Sequence, residues 1–120
     1  MGVNKYEDLI AWQLAVELGD EVRELVMGSV EARSDFRYRS QTLEASRGVA
    51  SHIVEGFLRC SPREFRHFLD YAISSIGETG QRLRDGIKAG FFTADRCAKA
   101  LTLVKRCGKC CLELKRSQRL

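Results

Sequence analysis

Scarcity narrows this chain before anything else does. It contains a single proline, Pro62, so almost nothing interrupts a helix from within. No stretch shows the period-2 alternation of β-branched and aromatic residues that marks strands. The fold class expected is therefore all-α. Apolar runs are short as well: charges break every hydrophobic stretch before it reaches the roughly 18 to 20 residues a membrane span needs. The opening Met1-Gly2-Val3-Asn4-Lys5-Tyr6-Glu7-Asp8 has no apolar core of the kind an export signal carries. A cytoplasmic protein without membrane contact is expected.

Catalytic and metal-ligating side chains are equally sparse. His52 and His67 are the only histidines, and they fall on different predicted helices with different sequence neighbours. The five cysteines, Cys60, Cys97, Cys107, Cys110 and Cys111, are an odd number in a chain without an export signal, which argues against a disulfide framework. Cys107-Gly108-Lys109-Cys110 is a CxxC, but a structural zinc site takes four ligands and no second CxxC or HxxxH accompanies it. Nor does it open a helix beside a βαβ unit, as a thioredoxin-type pair does. Ser74-Ser75 has no base near it in sequence, and without strands no phosphate-binding strand–loop–helix exists. The residues assemble no nucleophile, base and orienting group. The expectation is a protein that is not an enzyme and holds neither cofactor nor metal, its cysteines serving as core packing.

What is present is helical periodicity. A length of 120 residues suits one domain, 1–120, with a core that needs no staples. The first helix is expected from about Tyr6 to Met27, with Asn4 as N-cap and Gly28 as the stop. Its apolar positions Leu9, Ile10, Trp12, Leu14, Val16, Leu18, Val22, Leu25 and Val26 form a stripe wider than one intramolecular seam requires, which suggests a face toward another subunit. A polar linker over 28–34 precedes a second helix from about Asp35 to Arg59. There Gly56 suggests close approach of backbones, and Glu55 beside it would need an arginine or free helix-start amides as partner.

Ser61-Pro62-Arg63-Glu64 is the clearest local signal in the chain. Serine at N-cap, proline at N1 and glutamate at N3 form a capping box that opens a third helix across a tight turn. Phe65, Leu69, Ala72, Ile76, Thr79/Gly80, Leu83 and Ile87 then alternate by four and three, the spacing of bundle packing. Gly90 ends this helix and Thr93 caps a fourth over about 94–115. Four helices joined by short loops predict an antiparallel up-down-up-down four-helix bundle.

Charge is unevenly distributed. The first thirty residues carry two basic and six acidic side chains, the last thirty eight basic and two acidic. An acidic first helix and a basic last helix either pair with each other or leave a cationic surface for polyanions. The basic residues that make up the candidate nucleic-acid surface are Lys99, Lys105, Arg106, Lys109, Lys115, Arg116 and Arg119 on and after the last helix, with Arg59, Arg63 and Arg66 at the turn between helices two and three. Lys105, Lys109 and Arg116 recur at spacings of four and seven, so they share a helix face. Few aromatics lie among them, which fits sequence-blind phosphate contact better than base stacking.

Several segments together resemble a known family. Tyr6-Glu7-Asp8-Leu9-Ile10-Ala11-Trp12-Gln13-Leu14-Ala15 is similar to its opening pattern. Ile53-Val54-Glu55-Gly56, the turn Arg59-Cys60-Ser61-Pro62-Arg63-Glu64-Phe65, Phe68-Leu69-Asp70-Tyr71-Ala72 and Ala89-Gly90-Phe91-Phe92 continue the likeness. The chain resembles the four-helix-bundle proteins encoded in bacterial large-subunit rRNA intervening sequences, whose relatives include accessory variability determinant proteins of diversity-generating retroelements. His52 and Gly48 depart from that pattern, standing where asparagine and serine are common. The resemblance implies a barrel-like homopentamer with a basic surface and, among the retroelement relatives, binding of nucleic acid and a reverse transcriptase. Two other readings remain open on the residues themselves: a protein-only assembly in which the acidic and basic helices pair, and a thiol or metal protein built on the last helix.

Overall fold

A computed structural model describes residues 3–119, and all regular structure among them is helical. A 3-10 turn at Tyr6–Asp8 leads into α1 (Ile10–Gly28), followed by α2 (Val30–Ser34), α3 (Phe36–Leu58), α4 (Pro62–Lys88) and α5 (Ala94–Ser117). Four of the starts are fixed by side-chain caps, because the first amides of a helix have no partner inside it. The oxygens of Ser29, Asp35, Ser61 and Thr93 accept from the N–H groups of Ala32, Tyr38, Glu64 and Arg96 at 3.0–3.3 Å.

Two local expectations are corrected. The first helix does not begin at Tyr6 under an Asn4 cap: the Tyr6–Asp8 turn closes separately and Leu9, extended and without a side-chain cap, starts α1. The Gln13 amide donates to the Glu7 carbonyl across that break at 3.0 Å. The segment 28–34 is not a plain linker either. Ser29 caps the short α2, which seats Ala32 fully in the core; a five-residue helix is too short for periodicity to reveal.

Each long helix packs chiefly on two others, α1 on α3 and α5, and α4 on α3 and α5. Gly19 lies beside Ser46 and Gly56 beside Phe68. Tyr38 reaches the carbonyl of Arg82, and Lys115 reaches Asp70. A single buried cluster draws on all five helices, with Leu18, Val22, Val26, Val49, Ile53, Leu69, Leu83 and Cys107 sealed from solvent.

The breadth of the apolar stripe on α1 has its cause in this arrangement. A helix wedged between two neighbours needs an apolar flank for each, and Leu14, Leu18, Val22, Leu25 and Val26 are consumed within the chain. Ile10, 60 % exposed, and the half-buried Val16 are left out of the core cluster. Most of the stripe is therefore accounted for within the chain, with Ile10 and Val16 left over.

Gly56 is where the chain needs a missing side chain most. A Cβ there would fall 2.7 Å from the Phe68 Cβ and 2.9 Å from the Phe65 ring, so α3 rests directly on α4. The close approach expected at this position is realised. Glu55, in contrast, is not a buried carboxylate seeking an arginine: it stands half in solvent, 3.7 Å from His52 Nδ1.

Candidate nucleic-acid interface

The fold sorts the cations of α5 into engaged and open ones. Lys99 turns toward α1 and lies 3.6 Å from Glu21. It is the one α5 cation that answers the acidic first helix, so the charge asymmetry is only slightly neutralised inside the chain. Lys115 lies 2.6 Å from Asp70 on α4, and its carbonyl accepts from Arg66 Nη1 at 2.9 Å. Arg66 thus serves the carbonyl end of α5, where cations complement the helix dipole.

Arg96 in the first turn, and Lys105, Arg106, Lys109 and Arg116 of the candidate surface, remain. The latter four are exposed, and among the described residues none lies within ion-pair distance of an acid. At 100° per residue, Lys105, Lys109 and Arg116 fall within about 40° of one another and Arg106 to one side, along about 16 Å of helix axis. Leu112, partly exposed, sits within the row. Arg119 is exposed beyond the helix end.

Arg66 also joins groups that the sequence keeps apart. By tying α4 to the last turn of α5, it brings the cations of the α3–α4 turn to the same end of the molecule as Lys115 and Arg116. Arg63 is exposed there and pairs with no acid among the described residues. Arg59 is engaged instead: its guanidinium lies 3.5 Å from Glu64 and 5.0 Å over the Phe68 ring. Glu64 so occupied completes only half of the expected capping box, since Ser61 accepts from its amide but its carboxylate turns to Arg59.

The two histidines do not have separate surroundings, contrary to the sequence-based expectation. His52 from α3 and His67 from α4 both pack on Tyr71, with ring centroids 5.5 and 4.7 Å away. No signal along the chain pairs them, because His52 and His67 come to share Tyr71 only once α3 lies on α4.

Catalytic and metal-binding geometry is thin among the described residues. Cys107 is sealed in the core, its sulfur 3.9 Å from the Ala11 carbonyl. Its hydrogen bond with Cys111, and then burial, push its thiol up, and burial raises Cys97 and Cys110. A raised thiol is a poor nucleophile and a poor metal ligand at neutral pH, and Cys111, which the hydrogen bond with Cys107 lowers, is sealed in the core away from any substrate. No group of three or more His, Cys, Asp or Glu side chains among the described residues is placed to hold a metal ion. A depression of about 700 Å³ beside the α3–α4 turn is lined by Leu9, Phe57, Phe65 and Leu114, with no charged or imidazole side chain in its wall.

The comparison with known families bears on the whole helical body. The profile described as 23S rRNA-intervening sequence protein matches residues 7–112. The chain belongs to the 23S rRNA-intervening sequence protein family. The match spans all of α1 to α4 and most of α5, and so takes in Lys99, Lys105, Arg106 and Lys109 together with the α3–α4 turn. It stops short of Lys115, Arg116 and Arg119, whose charge is therefore outside what the family profile describes. No curated protein matches the chain. No helix among the described residues of this family member is long and apolar enough to cross a membrane.

Proposed function

We propose that this 23S rRNA-intervening sequence protein is a non-catalytic, homo-oligomeric scaffold that binds the phosphate backbone of nucleic acid through the outer face of α5. The observation that carries the reading is the row Lys105, Arg106, Lys109 and Arg116: four exposed cations on one helix, none of them in an ion pair among the described residues although Glu113 stands between Lys109 and Arg116. Unneutralised cations in a row hold a field that polyanions relieve. The proposal includes a single domain built as an antiparallel up-down-up-down four-helix bundle. In its support, contacting residues run in opposite numerical order between neighbours, as in Ala11 with Cys107 and Glu21 with Lys99, or Tyr38 with Arg82 and Gly56 with Phe68.

Assembly as a pentamer, docking of a reverse transcriptase and a cytoplasmic location belong to the same proposal and rest on the resemblance to the retroelement accessory proteins. A net charge of +4 per chain becomes a strong field when copies gather in a ring. The protein-only alternative draws on the Lys99–Glu21 pair, which does join the acidic and basic helices.

The test is fluorescence anisotropy with unrelated RNA and DNA oligomers between low and physiological salt. Log affinity should fall linearly with log salt, by about 0.7 to 0.9 per phosphate neutralised. Replacing Lys105, Arg106, Lys109 and Arg116 by Gln should flatten that slope and weaken all sequences alike, since phosphate contacts position without specifying. Unchanged affinity and slope in the folded quadruple variant would remove α5 as the footprint. Absence of binding by the wild type at low salt would leave the protein-only assembly as the better account.

A further inference from the structure

Seven of the ten aromatic side chains belong to the core or pack against it. Phe36, Phe68 and Tyr71 do not, and two of these three stand together on the α3–α4 seam. Tyr71 is 44 % exposed and touches the Phe68 ring at 5.7 Å between centroids as well as both histidines. His67 is exposed beside it. The Arg59 guanidinium covers Phe68 at 5.0 Å, and Arg63 stands one turn before His67 on the same face of α4. The cluster exists because α3 and α4 approach so closely: Gly48 and Gly56, on either side of His52, each leave no room for a freely placed Cβ against α4.

Outward-facing positions of a bundle helix are usually charged or polar, and aromatic rings there gain little from folding. Tyr71, 44 % exposed, beside the half-buried Phe68 ring and its Arg59 guanidinium, has the composition of a stacking platform for unpaired bases. The neighbouring cations supply the backbone part of such a site, since Arg66 and Lys115 join this end of α4 to the basic face of α5. The histidine rings add planar surface.

We infer that the Tyr71 cluster, with His67, Phe68 and Arg59, is a stacking site for unpaired bases of single-stranded nucleic acid, Arg63 contacting the adjoining phosphate. This rests on the nucleic-acid reading above but assigns a different surface and a different chemistry from α5. It makes the protein favour single strands over duplex, which phosphate contact alone does not.

Anisotropy between low and physiological salt, with affinities compared at equal salt, tests it with three probes: a mixed-sequence single strand, the same strand carrying abasic sites throughout, and a duplex of equal length. Wild type should bind the intact strand about tenfold more tightly than the abasic one, the scale of one stacked base. Tyr71→Ala should lose that margin while keeping the salt slope, because no charge is removed, and Tyr71→Phe should restore it. Equal binding of intact and abasic strands by wild type overturns the stacking site and leaves the α5 footprint standing. Failure of wild type to bind any probe at low salt overturns both. If Tyr71→Ala instead changes the mass by light scattering and leaves the margin intact, the cluster is a contact between proteins and the inference fails. The wild-type comparison needs no variant to fold.

Discussion

Gly56 and Tyr38 show how single positions hold this fold. Alanine at 56 would improve helix propensity by about 1 kcal/mol, yet its Cβ would meet the Phe68 Cβ at 2.7 Å, an atom fixed to the backbone of α4 rather than a flexible tip. Overpacking of this kind costs about 1 to 3 kcal/mol, so Gly56→Ala should lower Tm by several degrees in a thermal melt. It should also loosen the seam on which both histidines pack against Tyr71. Tyr38 is partly buried and its hydroxyl donates to the Arg82 carbonyl at 2.7 Å. Burial pushes its phenol up to about 12. A phenol that ionises less readily folded than unfolded stabilises the fold below pH 10, and that contribution is lost as pH climbs from 10 toward 12. Tyr38→Phe should therefore weaken the protein near neutrality by about 1 kcal/mol and lose less stability than wild type over that alkaline interval, measured by urea unfolding.

At the scale of elements, helix starts were legible and helix neighbours were not. Ser61 and Thr93 announce α4 and α5 within three residues of sequence, because a cap is a contact between a side chain and an amide three positions on, while Asp35, expected as the first residue of its helix, is the cap of α3. Ser61→Ala should cost about 1 kcal/mol, read as a shift in the urea midpoint without change in its slope; an unchanged midpoint would mean Pro62 alone sets the start of α4. The start of α1 was misplaced for the complementary reason. Asn4, Glu7 and Asp8 are all compatible with a helix start, but the 3-10 turn at Tyr6–Asp8 is held by packing, with Tyr6 edge-on to Trp12 at 5.5 Å. The basic row of α5 was visible as a spacing of four and seven, but its division into open and engaged cations was not. Lys99 and Lys115 look like their neighbours in sequence, and only Glu21 and Asp70 on other helices distinguish them.

For the whole molecule, the assembly is the measurable unknown on which the field of the surface depends. Light scattering at micromolar concentration should give a particle of about five times the 13.6 kDa chain mass, and a monodisperse monomer would remove the pentamer from the proposal. The structure has changed what such an oligomer would use. Most of the apolar stripe of α1 is spent on α3 and α5, so contacts between chains would draw on what is left exposed, such as Ile10 on α1 and Phe36 and Leu58 at opposite ends of α3.

The sequence by itself determined the helical class, three of the four long helix starts, the core alternation of α4 and the existence of a basic face, since each is encoded in residues within a turn or two of one another. Tertiary structure alone decided why α1 is apolar on two flanks, which cations are neutralised, and that His52, His67 and Tyr71 form one cluster. Those outcomes depend on the rotation and register of one helix against another. Nothing local encodes that geometry: it is set by how the buried side chains of all five helices fill a common core.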